Sequence, residues 1–169
     1  MMMSSYGDIL KQSTKVAIQH SLCRVLASHA GETLNGYAIV TEDDLSALGY
    51  FASTIEYTAQ QAEAFVRFEP VDWDYNDGVE AFDDPRALLV ANYAAADTVD
   101  LFRFHVDTSF AALVEALREL KAEGLFRDDT FLTVISPDPS DHLEMLECHA
   151  VRSLNAPELI RQWEQCRAE

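Results

Sequence analysis

Thr108 to Glu123 restricts the fold more than any other stretch, because its apolar residues recur at one spacing only. Phe110, Leu113, Val114, Leu117 and Leu120 form a single stripe on a helix, and Asp107 or Thr108 stands ready as its N-cap. Gly124 occupies the place of a left-handed C-terminal cap. Such a helix is not stable alone in water, so its stripe must be covered by other elements. The rest of the chain has to supply them. Phe131 to Ile135, within Thr130 to Ser136, reads as a buried strand, and Tyr37 to Thr41 as a second. Ser4 to Ser28 predicts an amphipathic helix carrying Ile9, Val16, Leu22, Val25 and Leu26, with Ser28 to Gly31 as its stop.

The other segments carry less regular patterns. Glu42-Asp43-Asp44 ends the first strand, and Leu45 to Phe51 reads as a turn or a short helical piece. Thr54 to Phe68 predicts a helix giving way to a short strand before Pro70, and Arg86 to Ala96 a helix opened by Pro85. Phe102 to Val106 alternates like a strand, which would place His105 beside Asp107 in a structural role. Pro137 to Asp141 reads as a tight turn from which Leu143 to Val151 returns as an antiparallel strand. Asn155 is the expected cap of a last helix, with Pro157 in its first turn and its end near Arg167. No βαβ rhythm is present. The expected fold is α+β, one domain over residues 1–169, with a central mostly antiparallel sheet flanked by helices. A length of 169 residues with 49% apolar content suffices for one core.

Charge narrows the function. Asp and Glu total 29 against 12 Lys and Arg, a formal net charge of -17. That field repels nucleic-acid phosphates and anionic lipid and speeds encounter with basic surfaces, besides keeping the protein in solution. No apolar run approaches the ~20 residues of a membrane helix, and no basic segment precedes an apolar run at the N-terminus. Cys23, Cys148 and Cys166 form no CxxC pair, so reduced thiols in the cytoplasm are expected, with Cys23 inside a helix core.

Chemistry has little to stand on. Asp138, Asp141 and His142 crowd one turn with Cys148 and His149 beyond it, a set with metal-ligating types. The same turn residues are ordinary hairpin chemistry, and on a strand Cys148 and His149 would face opposite ways, so no metal is expected. There is no G-x-S-x-G elbow, no glycine-rich phosphate loop and no activated cysteine motif, so neither a cofactor nor an enzyme is expected.

Glu69 to Pro85 is different in kind. It holds Glu69, Asp72, Asp74, Asp77, Glu80, Asp83 and Asp84 with no Lys or Arg, interleaved with Trp73, Tyr75 and Phe82. Aromatic side chains dominate interface hot spots, and carboxylates around them steer a basic partner. Glu69, Asp72, Trp73, Asp74, Tyr75, Asp77, Glu80, Asp83 and Asp84 are therefore the candidate partner-binding residues. Trp73 also has a reading as a core residue.

Four stretches carry a family resemblance: Gly36 to Asp44, Val66 to Trp73, Leu113 to Phe126 and Val151 to Asn155. With them the chain resembles domain-of-unknown-function family 4303, a large bacterial family. The resemblance implies an α+β domain without established catalytic residues. It also implies likeness to the small immunity proteins encoded beside secreted bacterial toxins, including interbacterial effectors. Such proteins bind and block a cognate toxin domain, and their acidity answers a basic toxin surface. The alternatives are an enzyme with a cryptic metal or acid–base site, and a scaffold or regulatory module binding other cytosolic proteins.

Overall fold

The computed structural model describes residues 5–61 and 64–168. The elements are α1 (Tyr6–Ser28), β1 (Leu34–Thr41), β2 (Leu48–Thr54), α2 (Ile55–Ala59), α3 (Asp83–Ala94), α4 (Val99–Ala122), β3 (Phe131–Ile135), α5 (Asp141–Leu154) and α6 (Pro157–Arg167). Between α2 and α3 the chain makes 3₁₀ turns at Ala64–Phe68, Pro70–Asp72 and Val79–Phe82. The class is α+β. Its sheet has three strands in the order β2-β1-β3, with β1 antiparallel to β2 and parallel to β3. The antiparallel ladder is the longer of the two.

Strand alternation divides the interior into two cores. Side chains of successive strand residues face opposite ways. Tyr37, Ile39, Leu48, Tyr50, Ala52, Leu132 and Val134 therefore pack with the buried stripes of α1 and α4, while Ala38 and Phe131 face a smaller cluster. That second cluster holds Val66, Phe68, Trp73, Val151, Leu159 and Trp163. The acidic segment is anchored in both cores, through Trp73 in the smaller cluster and through Tyr75 and Phe82 in the larger.

Several expectations are corrected. In α1 the buried positions are Leu10, Thr14, Ala17, Ile18, Ser21, Leu22 and Val25, whereas Ile9 (47%), Val16 (51%) and Leu26 (45%) are exposed. Ser21 is satisfied within this stripe: its hydroxyl lies 2.6 Å from that of Tyr37 and donates to the Ile18 carbonyl at 3.0 Å. Cys23 is exposed rather than in the helix core. Leu48 to Thr54, placed partly in a turn, forms β2 on a period of two. The expected strand before Pro70 is the 3₁₀ turn Ala64–Phe68, and Pro85 lies inside α3, whose first residue is Asp83.

Two stretches expected as strands are helical. α4 starts at Val99 behind Thr98, whose hydroxyl accepts the Leu101 amide, so Phe102 to Val106 is helical. His105 is buried there: Asn92 Nδ2 lies 2.8 Å from its Nδ1, and its Nε2 lies 3.2 Å from the Asp44 carbonyl. Burial lowers its pKa, and the ring bridges α3, α4 and the turn after β1. Likewise Leu143 to Val151 belongs to α5, which Ser140 caps by accepting the Leu143 amide. Cys148 and His149 are thus helical neighbours. His142 lies 2.7 Å from Asp107 of α4, and among the described residues no three His, Cys, Asp or Glu are grouped to hold a metal ion.

Asn155 is not the cap of α6, whose N-cap is Ala156. Its amide works on the outer side of β3 instead. Oδ1 accepts the Leu132 amide at 2.8 Å, and Nδ2 donates to the carbonyls of Leu132 (2.7 Å) and Val151 (2.8 Å). Further along that edge the Ser136 amide donates to Glu147 Oε1 at 2.5 Å. On the outer side of β2, Ala52 donates to the Tyr75 carbonyl at 2.7 Å, and Arg86 donates to the Leu48 carbonyl from Nε and Nη2.

Candidate functional site

The acidic segment is anchored from beneath and charged above. Trp73 is 2% exposed, and its indole Nε1 donates to the Val66 carbonyl at 2.7 Å. The Tyr57 hydroxyl donates to the Asp72 carbonyl at 2.6 Å, and the Tyr50 hydroxyl donates to that of Asp77. Tyr75 stacks on His29 with ring centroids 3.6 Å apart, while its hydroxyl donates to Glu32. Phe82 is fully buried. A run of 3₁₀ turns has few internal hydrogen bonds, so these side-chain ties and buried rings fix its path.

The predicted site residues therefore separate into two groups. Trp73 belongs to the core, and Tyr75 is half-buried as an anchor. Asp72, Asp74, Asp77, Glu80, Asp83 and Asp84 are exposed, while Glu69 is half-buried. The segment has no internal cation, but its neighbours bring some. Arg24 pairs with Glu80, Arg86 with Asp83, and His29 Nε2 lies 3.3 Å from Asp77. Asp72, Asp74 and Asp84 have no ion pair among the described residues.

Glu69 also lines a cavity of about 220 Å³ that the sequence reading missed. Its walls come from residues 68–71, from β3, and from Glu147, Val151, Trp163 and Arg167. Glu147 stands between Leu143 and Val151 on the inward face of α5, which turns a carboxylate toward the smaller core. Burial is the main cause that raises its pKa to about 7, with Glu144 and Asp43 adding and the Ser136 amide and Arg167 opposing. Burial, followed by the charge of Asp72, also raises Glu69. The signal that could have revealed Glu147 is present in the sequence. Ser140 as a cap followed by Leu143, Leu146, Ala150, Val151 and Leu154 has helical period.

The sign of the Glu147 effect on stability follows from linkage. The folded protein holds a proton at this site between an ordinary value near 4.5 and about 7, whereas the unfolded chain releases it. Its contribution is thus complete below the lower value and is lost as pH rises through the higher one. Glu147→Gln keeps an acceptor for the Ser136 amide and removes the titration. Relative to the native protein, the variant is expected to gain about 2–3 kcal/mol between pH 5 and pH 8. Urea unfolding of both proteins across that range measures it; parallel profiles would contradict the assignment.

Fold and acidic segment together describe a small α+β protein with exposed carboxylates on an anchored backbone. The chain matches the family described as Domain of unknown function (DUF4303) over residues 14–156 and belongs to that family. No curated protein and no solved structure matches it. No helix among the described residues is long and apolar enough to cross a membrane.

Proposed function

We propose that this protein is an immunity-type inhibitor in the bacterial cytoplasm. It binds a cognate toxin domain with a basic surface, of the kind delivered by interbacterial effectors, and covers its active site. The observation that carries this reading is the set of exposed carboxylates on a backbone tied down by Trp73, Tyr57, Tyr50 and Tyr75. Preorganisation lowers the ordering cost of binding, and a one-signed surface accelerates encounter. Elsewhere cations are largely consumed within the protein, as where Lys11 and Lys15 of α1 bind Glu119 of α4. Asp72, Asp74 and Asp84 are left for a partner.

Co-expression with the product of the neighbouring gene, followed by affinity capture, identifies the partner. Neutralising Asp72, Asp74, Asp77, Asp83 and Asp84 together as Asn is expected to slow association about 10- to 100-fold at low salt. Native association should slow as salt rises, and the variant should lose most of that dependence. Because Asp72, Asp74 and Asp84 lack local cations, they should account for most of the effect. Stopped-flow association rates decide it: a native rate that ignores ionic strength would remove the electrostatic basis of the proposal.

A further inference from the structure

The cavity beside Glu69 has walls of two kinds. Phe131, Val151 and Trp163 supply apolar surface, and Glu69 and Glu147 supply carboxylates. Glu147 accepts one backbone amide, from Ser136. The Glu69 side chain has no hydrogen bond or ion pair among the described residues. Thr133, 1% exposed, also lines the cavity, and its hydroxyl has a single contact, to the Val134 carbonyl at 3.5 Å. That distance lies beyond the usual range for a hydroxyl donor. Two carboxylates and a poorly satisfied hydroxyl thus border a space with room for a ligand group.

The rim shows which group such walls accept. Arg167 lies over the Trp163 ring, 5.1 Å from its centroid, and donates to Glu144 Oε1 at 2.6 Å and to Cys148 Sγ at 3.1 Å. Its hydrogen bonds go to Glu144 and Cys148, so Arg167 acts on Glu69 and Glu147 through its charge alone, and that one charge is already paired with Glu144. An anion would be repelled, and a neutral ligand would leave both acids uncompensated. A metal ion lacks a third ligand among the described residues. An ammonium is strongly hydrated and poorly suited to apolar walls, whereas a guanidinium is weakly hydrated, planar and stacks on rings.

We propose that the cavity binds a guanidinium group, supplied by an arginine side chain of the partner, with Glu69 and Glu147 as its counterions. Burial raises the pKa of both acids despite the opposing charge of Arg167, so a second cation in the cavity would stabilise their ionised forms. The source of the group rests on the immunity reading; binding of the group itself does not, and it is tested without any toxin.

The full chain is titrated with N-acetyl-arginine N-methylamide while the Ser136 amide and Trp163 indole signals are followed by NMR. The citrulline analogue, equal in shape and uncharged, is the comparator. Saturable shifts with the arginine probe and none with the citrulline probe are expected. Glu147→Gln should weaken the arginine probe about tenfold, while Asp128→Asn, an exposed acid outside the cavity, should not. Between pH 6 and pH 8 native affinity should rise about fivefold as Glu147 ionises, and the Glu147→Gln profile should be flat. Equal binding of the two probes, or equal loss in the two variants, overturns the site. Free arginine binding far more tightly than the blocked probe would assign the cavity to a small metabolite and overturn the side-chain source. A protein that binds the probe but no toxin keeps the guanidinium site and loses the immunity reading. A toxin bound equally by the native protein and Glu147→Gln loses the arginine source alone.

Discussion

Gly36→Ala is expected to lower stability by about 3 kcal/mol, a large cost for one methyl group. The residue needs no unusual backbone angle; what it needs is the absence of a side chain. A Cβ at this position would stand 2.4 Å from Trp73 Cη2 and 2.7 Å from Cζ2. The indole cannot step aside easily, because its Nε1 is tied to the Val66 carbonyl and its edge meets Phe131, with centroids 6.5 Å apart. Trp73→Ala should cost about 4 kcal/mol by itself, from lost burial and the cavity left behind. The double variant should be no less stable than Trp73→Ala alone, since the clash disappears with the ring. Denaturant unfolding of the three proteins checks this cycle. A Gly36→Ala cost below about 1 kcal/mol would show that the ring does not lie against β1.

Asn155→Ala should cost about 3 kcal/mol by a different route. Asn155 is only 8% exposed, and its one amide group satisfies the Leu132 amide and the carbonyls of Leu132 and Val151. Truncation leaves those backbone groups without partners in a site closed to water, and unmade buried bonds cost more than made ones contribute. Asp at this position would keep the acceptor but lose the donor, so it should rescue only part of the loss. Native-state hydrogen exchange gives the local signature: the Leu132 amide should exchange faster than global unfolding accounts for. Unchanged protection at Leu132 would place the loss elsewhere.

The parts legible in the sequence are those in which one local pattern dominates. The central part of β1, β3, the later half of α4 and Gly124, with φ 83°, follow from periodicity and cap chemistry. The strand reading of α5 failed because Pro137 to Asp141 also suits a hairpin turn; the Ser140 cap and the helical spacing of Leu143, Leu146, Ala150, Val151 and Leu154 distinguish the two outcomes. The start of α4 was obscured because Phe102, Phe104 and Val106 alternate, yet Phe102 (36%) and Phe104 (64%) remain exposed on a helix. The acidic segment was legible as composition. Its division into anchors and exposed carboxylates was not, because the contacts that hold it come from residues far away in the chain, such as Gly36, Tyr50 and Tyr57. The cavity depended on α5 being a helix and was hidden by that misreading.

The side-chain bonds along the outer strands have a consequence for how this protein meets other chains. A three-stranded sheet ordinarily offers two open borders on which a foreign strand can template itself, a route both to recognition and to aggregation. Here an incoming strand would have to displace Asn155 and Glu147 at β3, and the Tyr75 carbonyl and the Arg86 guanidinium at β2. Backbone zippering is thereby disfavoured at both borders. A chain that docks on this sheet would have to do so through side chains, where sequence discriminates between cognate and non-cognate surfaces.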